Sequence, residues 1–130
     1  MDEAGTPRGE LTLRMVAMPA DANPAGDIFG GWIMSLMDLA AGTAAADVAH
    51  GRVATAAVSR LEFLRPVKIG DVVCCYTSVE RIGRSSITLN VEAWALRRGR
   101  AERFRVTDGS FVLVAVDAAG KPRPVTEGEA

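Results

Sequence analysis

The sequence predicts an α+β fold in which one long central helix is wrapped by a curved antiparallel sheet of about five strands. Three observations carry that prediction. From about Gly30 to His50 the apolar residues recur at helical spacing, and nowhere else do they do so for long. That helix is apolar nearly all round, so it needs covering on most sides. From Arg52 to Asp117 the hydrophobic period falls to two, broken only where Gly, Pro or Ser interrupt it. One helix placed second among strands is an α+β pattern.

The elements follow in order. Residues 1–9 are expected to be a flexible N-terminus, 10–117 a single domain, and 118–130 a flexible, Pro-containing tail. "ELTLRMVAM" (Glu10 to Met18) alternates Leu11, Leu13 and Met15 against polar neighbours and reads as a strand, and "PADANPAGD" then supplies loop residues. On a helical wheel Ile33, Met34, Met37, Ala41, Ala44, Ala45 and Val48 form one wide stripe, and Leu36, Leu39 and Ala40 make the opposite side nearly as apolar. His50 in the last turn and Gly51 at the left-handed position end the helix.

"RVATAAVSRLEFL" (Arg52 to Leu64) is the next strand, ended by the turn "RPVKIGD" with Pro66 and Gly70. "DVVCCYTSVERI" (Asp71 to Ile82) and "SSITLNVEAWALR" from Ser85 are joined across "GRSS", a break suited to a hairpin. In the second of these, Ile87, Leu89, Val91, Ala93 and Ala95 share one face, and Thr88, Asn90, Glu92 and Trp94 the other. "ERFRVTDGSFVLVAVD" (Glu102 to Asp117) is the last strand.

Composition narrows the function. The 130 residues are 48% hydrophobic and 24% charged, ordinary for a globular domain. Fifteen basic side chains against sixteen acidic ones give a net charge of −1, which argues against a nucleic-acid binder relying on phosphate neutralisation. No apolar run is long enough for a membrane span, and "MDEAGTPRGE" lacks the features of a signal peptide, so a cytoplasmic location with no membrane partner is expected. Cys74 and Cys75 are adjacent in a strand and point to opposite faces, which disfavours a disulfide or a metal site. No His or Cys cluster has ligand spacing and no Walker or dinucleotide glycine pattern is present, so neither metal nor cofactor is expected. His50 is the sole histidine, about 18 Å along the helix from Asp38, and reads as a helix-capping residue, not a triad member.

The order of elements, with "MPADANPAGDIFGGWIMSLMD", "AHGRVATAAV", "LEFLRPVKIGDVVCCY", "GRSSI" and "VTDGSFVLVAVD", resembles the hotdog-fold acyl-CoA thioesterases, in particular the bacterial YciA-like acyl-CoA hydrolases, from Leu11 to about Val116. The resemblance implies a hotdog fold, an acyl-CoA substrate, and a homodimer as minimal unit that joins its sheets edge to edge with the active sites at the interface. It further implies a trimer of such dimers. In the same terms Asp38 matches the acidic residue of the central helix and Asp27 the polar position ahead of the glycine pair, with each site taking one aspartate from either protomer.

The residue types suit that chemistry. Asp38 lies on the shoulder of the apolar stripe beside Met34, Ala41, Gly42 and Ala45, and partial burial is expected there; it is either a general base for water or a nucleophile. Gly30 and Gly31 bare the first helical turn, whose unpaired N–H groups and dipole suit an oxyanion. The blander alternatives are an N-cap role for Asp27, an interface ion pair for Asp38 and simple packing for the glycines. In "RIGRSSI", Gly83 allows a tight turn while Arg84, Ser85 and Ser86 offer donors for the phosphates of coenzyme A, against the alternative of a solvated turn. Arg65 and Lys68 are further phosphate contacts or ordinary surface charge. An acyl-ACP dehydratase would need a loop histidine, and none lies between Met18 and Gly31. A noncatalytic acyl-CoA-binding module is the remaining alternative, and it leaves the cost of a buried Asp38 carboxylate without a use.

Overall fold

The computed structural model describes residues 5–100 and 102–127. β1 (Glu10–Val16) leads through a short 3-10 turn (Pro19–Asp21) and a loop into α1 (Gly30–Ala49). Then come β2 (Val53–Phe63), β3 (Val72–Ile82), β4 (Ser86–Leu96) and β5 (Arg103–Ala115). The strands form one antiparallel sheet in the order β1-β3-β4-β5-β2, so β1 and β2 occupy opposite edges. Each pairing carries a register shift, and such bulges bend strands and increase their twist, curling the sheet around the helix.

The alternation read from β4 is realised: Ile87, Leu89, Val91, Ala93 and Ala95 are all fully buried against the helix. The helix meets them with Ile33, Leu36 and Met37 and with the alanines Ala40, Ala41, Ala45 and Ala49, whose small size lets its axis lie close to the sheet. Its apolar surface is wider than this chain can cover. Met34 remains 37% and Leu39 56% exposed. β2 is exposed along most of its length, and its outer edge pairs with no strand among the described residues. Cys74 and Cys75 are both free and buried; burial pushes the Cys75 thiol up to about 12, with the neighbouring Cys74 adding to the shift.

Two expectations are corrected. His50, not Gly51, takes the left-handed backbone (φ 52°, ψ 47°), because the helix ends one residue earlier and the His50 N–H closes back on the Ala46 carbonyl. The tail does not fray through its described part: Val116 bridges to Pro122, Arg123 is buried, and Val125 joins the core. Its apolar and cationic residues find partners at the C-terminal end of α1. Residues 1–4, Ala101 and 128–130 lie outside the described residues, and with them the rest of both terminal expectations.

Candidate active site

The loop before α1 is built by its own polar residues. Asn23 accepts the N–H groups of Ala25 (2.9 Å) and Asp27 (3.0 Å) on its side-chain oxygen, and the N–H of Asn23 donates to the Asp27 carbonyl at 2.7 Å. Gly26 supplies the turn with φ +91°, a backbone angle that suits glycine. Asp27 then bridges to Lys68 through the backbone, and its carboxylate pairs with the Lys68 ammonium. An N-cap role for Asp27 is thereby excluded: the N-cap residue is Phe29, and no side chain caps the helix. The first-turn N–H groups at Gly30 and Gly31 therefore carry the positive end of the helix dipole without a capping side chain.

The two glycines differ. A Cβ on Gly30 would sit 3.3 Å from two ring atoms of Phe63, so a side chain there would press the ring at the end of β2 outward by a few tenths of an ångström. A Cβ on Gly31 would meet nothing within 4 Å, so no packing demand explains that glycine. A cleft of ≈ 350 Å³ opens beside Gly30, lined by Ile28, Ile33, Phe63, Arg65 and Val67. Arg65 is held there by donating to the Arg105 carbonyl at 3.0 Å.

Asp38 lies eight residues into the helix from Gly30, about 12 Å along its axis. In the single chain it is exposed, which corrects the expected partial burial: β2 and the sheet leave its flank open. Its Oδ1 accepts a hydrogen bond from the Thr55 hydroxyl of β2 at 2.6 Å, which leaves Oδ2 available for other partners. Thr55 is a residue that sequence reading missed. Seventeen positions separate it from Asp38, and only the return of β2 alongside the helix brings the two together. The Lys68–Asp27 pair was likewise missed as a pair, being 41 positions apart.

The hairpin between β3 and β4 is tight as read. The Gly83 N–H donates to the Ser86 carbonyl at 2.8 Å, and a Cβ on Gly83 would come within 2.6 Å of the Ser86 hydroxyl oxygen. Arg84 is exposed, while Ser85 and Ser86 are half-buried. Among the described residues no group of three His, Cys, Asp or Glu side chains is placed to hold a metal ion, and no helix is long and apolar enough to cross a membrane.

The sequence matches the thioesterase superfamily over residues 25–102. It is 50% identical over 123 residues to the acyl-CoA thioester hydrolase YciA of Salmonella typhimurium, covering 92% of either chain. Among solved structures it is similar to a hexameric thioesterase from Yersinia pestis, with TM-score 0.87 and 52% identity, covering 92% of this chain and 97% of that one. It is also similar to a hexameric broad-specificity acyl-coenzyme A thioesterase, with TM-score 0.86 and 48% identity over 92% of this chain and 83% of that one.

Proposed function

The chain belongs to the thioesterase superfamily, and from that premise we propose that it hydrolyses acyl-CoA thioesters to the free acid and coenzyme A, with Asp38 as general base. One observation supports this reading above the rest: Asp38 is held by Thr55 at one end of a stretch of α1 whose other end offers an uncapped N-terminus. Asp38 takes a proton from water, whose oxygen attacks the thioester carbonyl carbon. The carbonyl oxygen becomes an oxyanion at the N–H groups of the first helical turn, where Gly31 leaves room for it. The tetrahedral intermediate then collapses, the C–S bond breaks, and the thiolate of coenzyme A recovers the proton. Asp27, fixed by Lys68, orients the water or the thioester. Arg84, Ser85 and Ser86 hold the phosphates of the nucleotide.

The site is shared between two copies. Within one chain the helix start and Asp38 stand about 12 Å apart, too far to act on one carbonyl, whose base and oxyanion donors must each lie within about 3 Å of the reacting atoms. Pairing the open edge of β2 with the same edge of a second copy closes the ladder isologously and covers Met34 and Leu39. It sets Asp38 of one protomer against Asp27 and the helix start of the other. Three such dimers would form a hexamer, the state described for both structural relatives. The two free cysteines accord with a reducing, cytoplasmic setting.

Complementation tests the sharing. Asp38→Asn and Asp27→Ala homo-oligomers should each lose most activity, whereas co-expression yields mixed dimers with one intact site, and activity should partly return. A mixture as inactive as its parents, with hybrids confirmed by mass, sinks the shared site. The proposal includes no metal, so EDTA should leave thiol release unchanged; loss that zinc or magnesium restores would contradict it.

A further inference from the structure

We infer that the C-terminal segment 117–127 is a positioning strap for the Gly83–Ser86 hairpin, with Arg123 as its anchor. After β5 the chain reverses on Asp117, whose carboxylate accepts the N–H groups of Ala119 and Lys121, both at 2.9 Å. Arg52 braces the reversal by donating to the carbonyls of Asp117 (3.3 Å) and Ala118 (3.2 Å). The returning segment then pairs with the end of β5, with Pro122 bridging Val116 and the Arg123 N–H donating to the Ala115 carbonyl at 2.9 Å.

The Arg123 side chain is buried, and its guanidinium serves three backbone carbonyls from separate places: Val116 (3.1 Å), Pro124 (3.2 Å) and Ala49 at the end of α1 (3.0 Å). Among the described residues no carboxylate pairs with it. A buried cation is tolerable here because each of its three nitrogens donates to a carbonyl and it stands at the negative end of the helix dipole. With Arg123 seated, Val125 enters the core and its backbone N–H donates to the Arg84 carbonyl at 2.8 Å.

That last bond gives the strap its role. The hairpin is held by the Gly83–Ser86 bond within it and by the Ala115 N–H donating to the Ser85 carbonyl at 2.8 Å; the strap adds a grip on Arg84 itself. The backbone of Arg84 is thus fixed while its side chain stays exposed. A guanidinium on a fixed base loses less entropy when it binds an anion than one on a loose turn. The consequence for substrate binding rests on the reading of this hairpin as the coenzyme A phosphate site.

Val125→Pro removes the one donor while keeping an apolar side chain at the first position of the 3-10 turn Val125–Glu127, and its ring carbon takes the place of the N–H against the Arg84 carbonyl, so the contact is broken outright. Arg123→Lys keeps the charge but not the planar fork that reaches three carbonyls, and provides a second variant should the proline prevent folding. In either variant amide exchange at Gly83 and Ala115 should quicken at least tenfold while Val91, in the middle of the sheet, is unchanged. KM for an acyl-CoA should rise three- to tenfold, with kcat and the KM for the matching acyl-pantetheine within twofold. Unchanged exchange at the hairpin, or exchange that rises throughout the sheet with equal losses on both substrates, overturns the strap. Arg84→Ala separates the two readings. If it fails to distinguish acyl-CoA from acyl-pantetheine, the phosphate reading falls, while quickened hairpin exchange still supports the strap; if it distinguishes them and neither strap variant does, the strap proposal falls.

Discussion

Thr55→Val isolates the hydroxyl that holds Asp38. Valine keeps the shape of threonine and favours a strand, so β2 should form unchanged. What disappears is one hydrogen bond, from the Thr55 hydroxyl to Asp38 Oδ1 at 2.6 Å. Hydrogen bonds to charged groups are worth about 1.5–3 kcal/mol when shielded from water, and less when exposed. Both residues are exposed in the single chain, so the loss of subunit stability should be below about 1 kcal/mol. In the proposed shared site, covered by the second copy and by substrate, the same bond would orient the base. Its loss should then cost the larger amount in the transition state, about 10- to 150-fold in kcat, since 1.4 kcal/mol is tenfold. The assay is thiol release at saturating acyl-CoA, in the wild-type and Asp38→Asn backgrounds. Because the hydroxyl acts through the carboxylate, Thr55→Val should change little once Asp38 is asparagine. A kcat within twofold of wild type, or the same loss in both backgrounds, would refute the reasoning.

The two glycines at the helix start should separate packing from chemistry. Gly31→Ala meets open space, so Tm should hold or rise slightly while kcat falls at least tenfold. Gly30→Ala presses on the Phe63 ring and should lower Tm as well; loss of Tm without loss of kcat in Gly31→Ala would remove the oxyanion role. Cys75 predicts an alkaline limit on stability. The folded state keeps the thiol proton up to about 12, whereas the unfolded chain loses it near the ordinary value of 9.0, so stability falls as pH rises from 9 toward 12, by up to about 1.4 kcal/mol per pH unit from this group. Urea unfolding between pH 8 and 10.5 should show that extra slope in wild type and not in Cys75→Ala; parallel profiles would count against it.

Strand periodicity made most of the fold legible. The inward row of β4 is buried as its alternation requires, and the five strands begin and end within a residue or two of their turn signals, because Gly, Pro and polar clusters act locally. The tail was misread for the opposite reason. Its Pro and charged residues look like a solvated end, and only the carbonyls at the end of α1 turn Arg123 into an anchor. His50 shows the limit of a local rule: Gly51 is the residue that prefers the left-handed region, yet the turn falls on its neighbour. The roles of Asp38 and Asp27 rest on the resemblance, while the places of both aspartates and of the glycine pair on or just before α1 were legible in the sequence. The partners that define them were not, since Thr55 and Lys68 arrive from distant strands and loops. The exposure of Asp38 was also out of reach, because only the folded arrangement shows that β2 and the sheet leave that flank of the helix open.

Under the proposed pairing of two copies, the open edge of β2 makes competence depend on how much of the protein is present. A strand that leaves one row of backbone groups without a ladder would, in that arrangement, give the lone subunit both an incomplete site and a lower stability than the pair. Association then contributes to folding by mass action, so the unfolding temperature climbs with protein concentration. Turnover per subunit would then fall on dilution, steeply once the concentration passes below the dissociation constant of the pair.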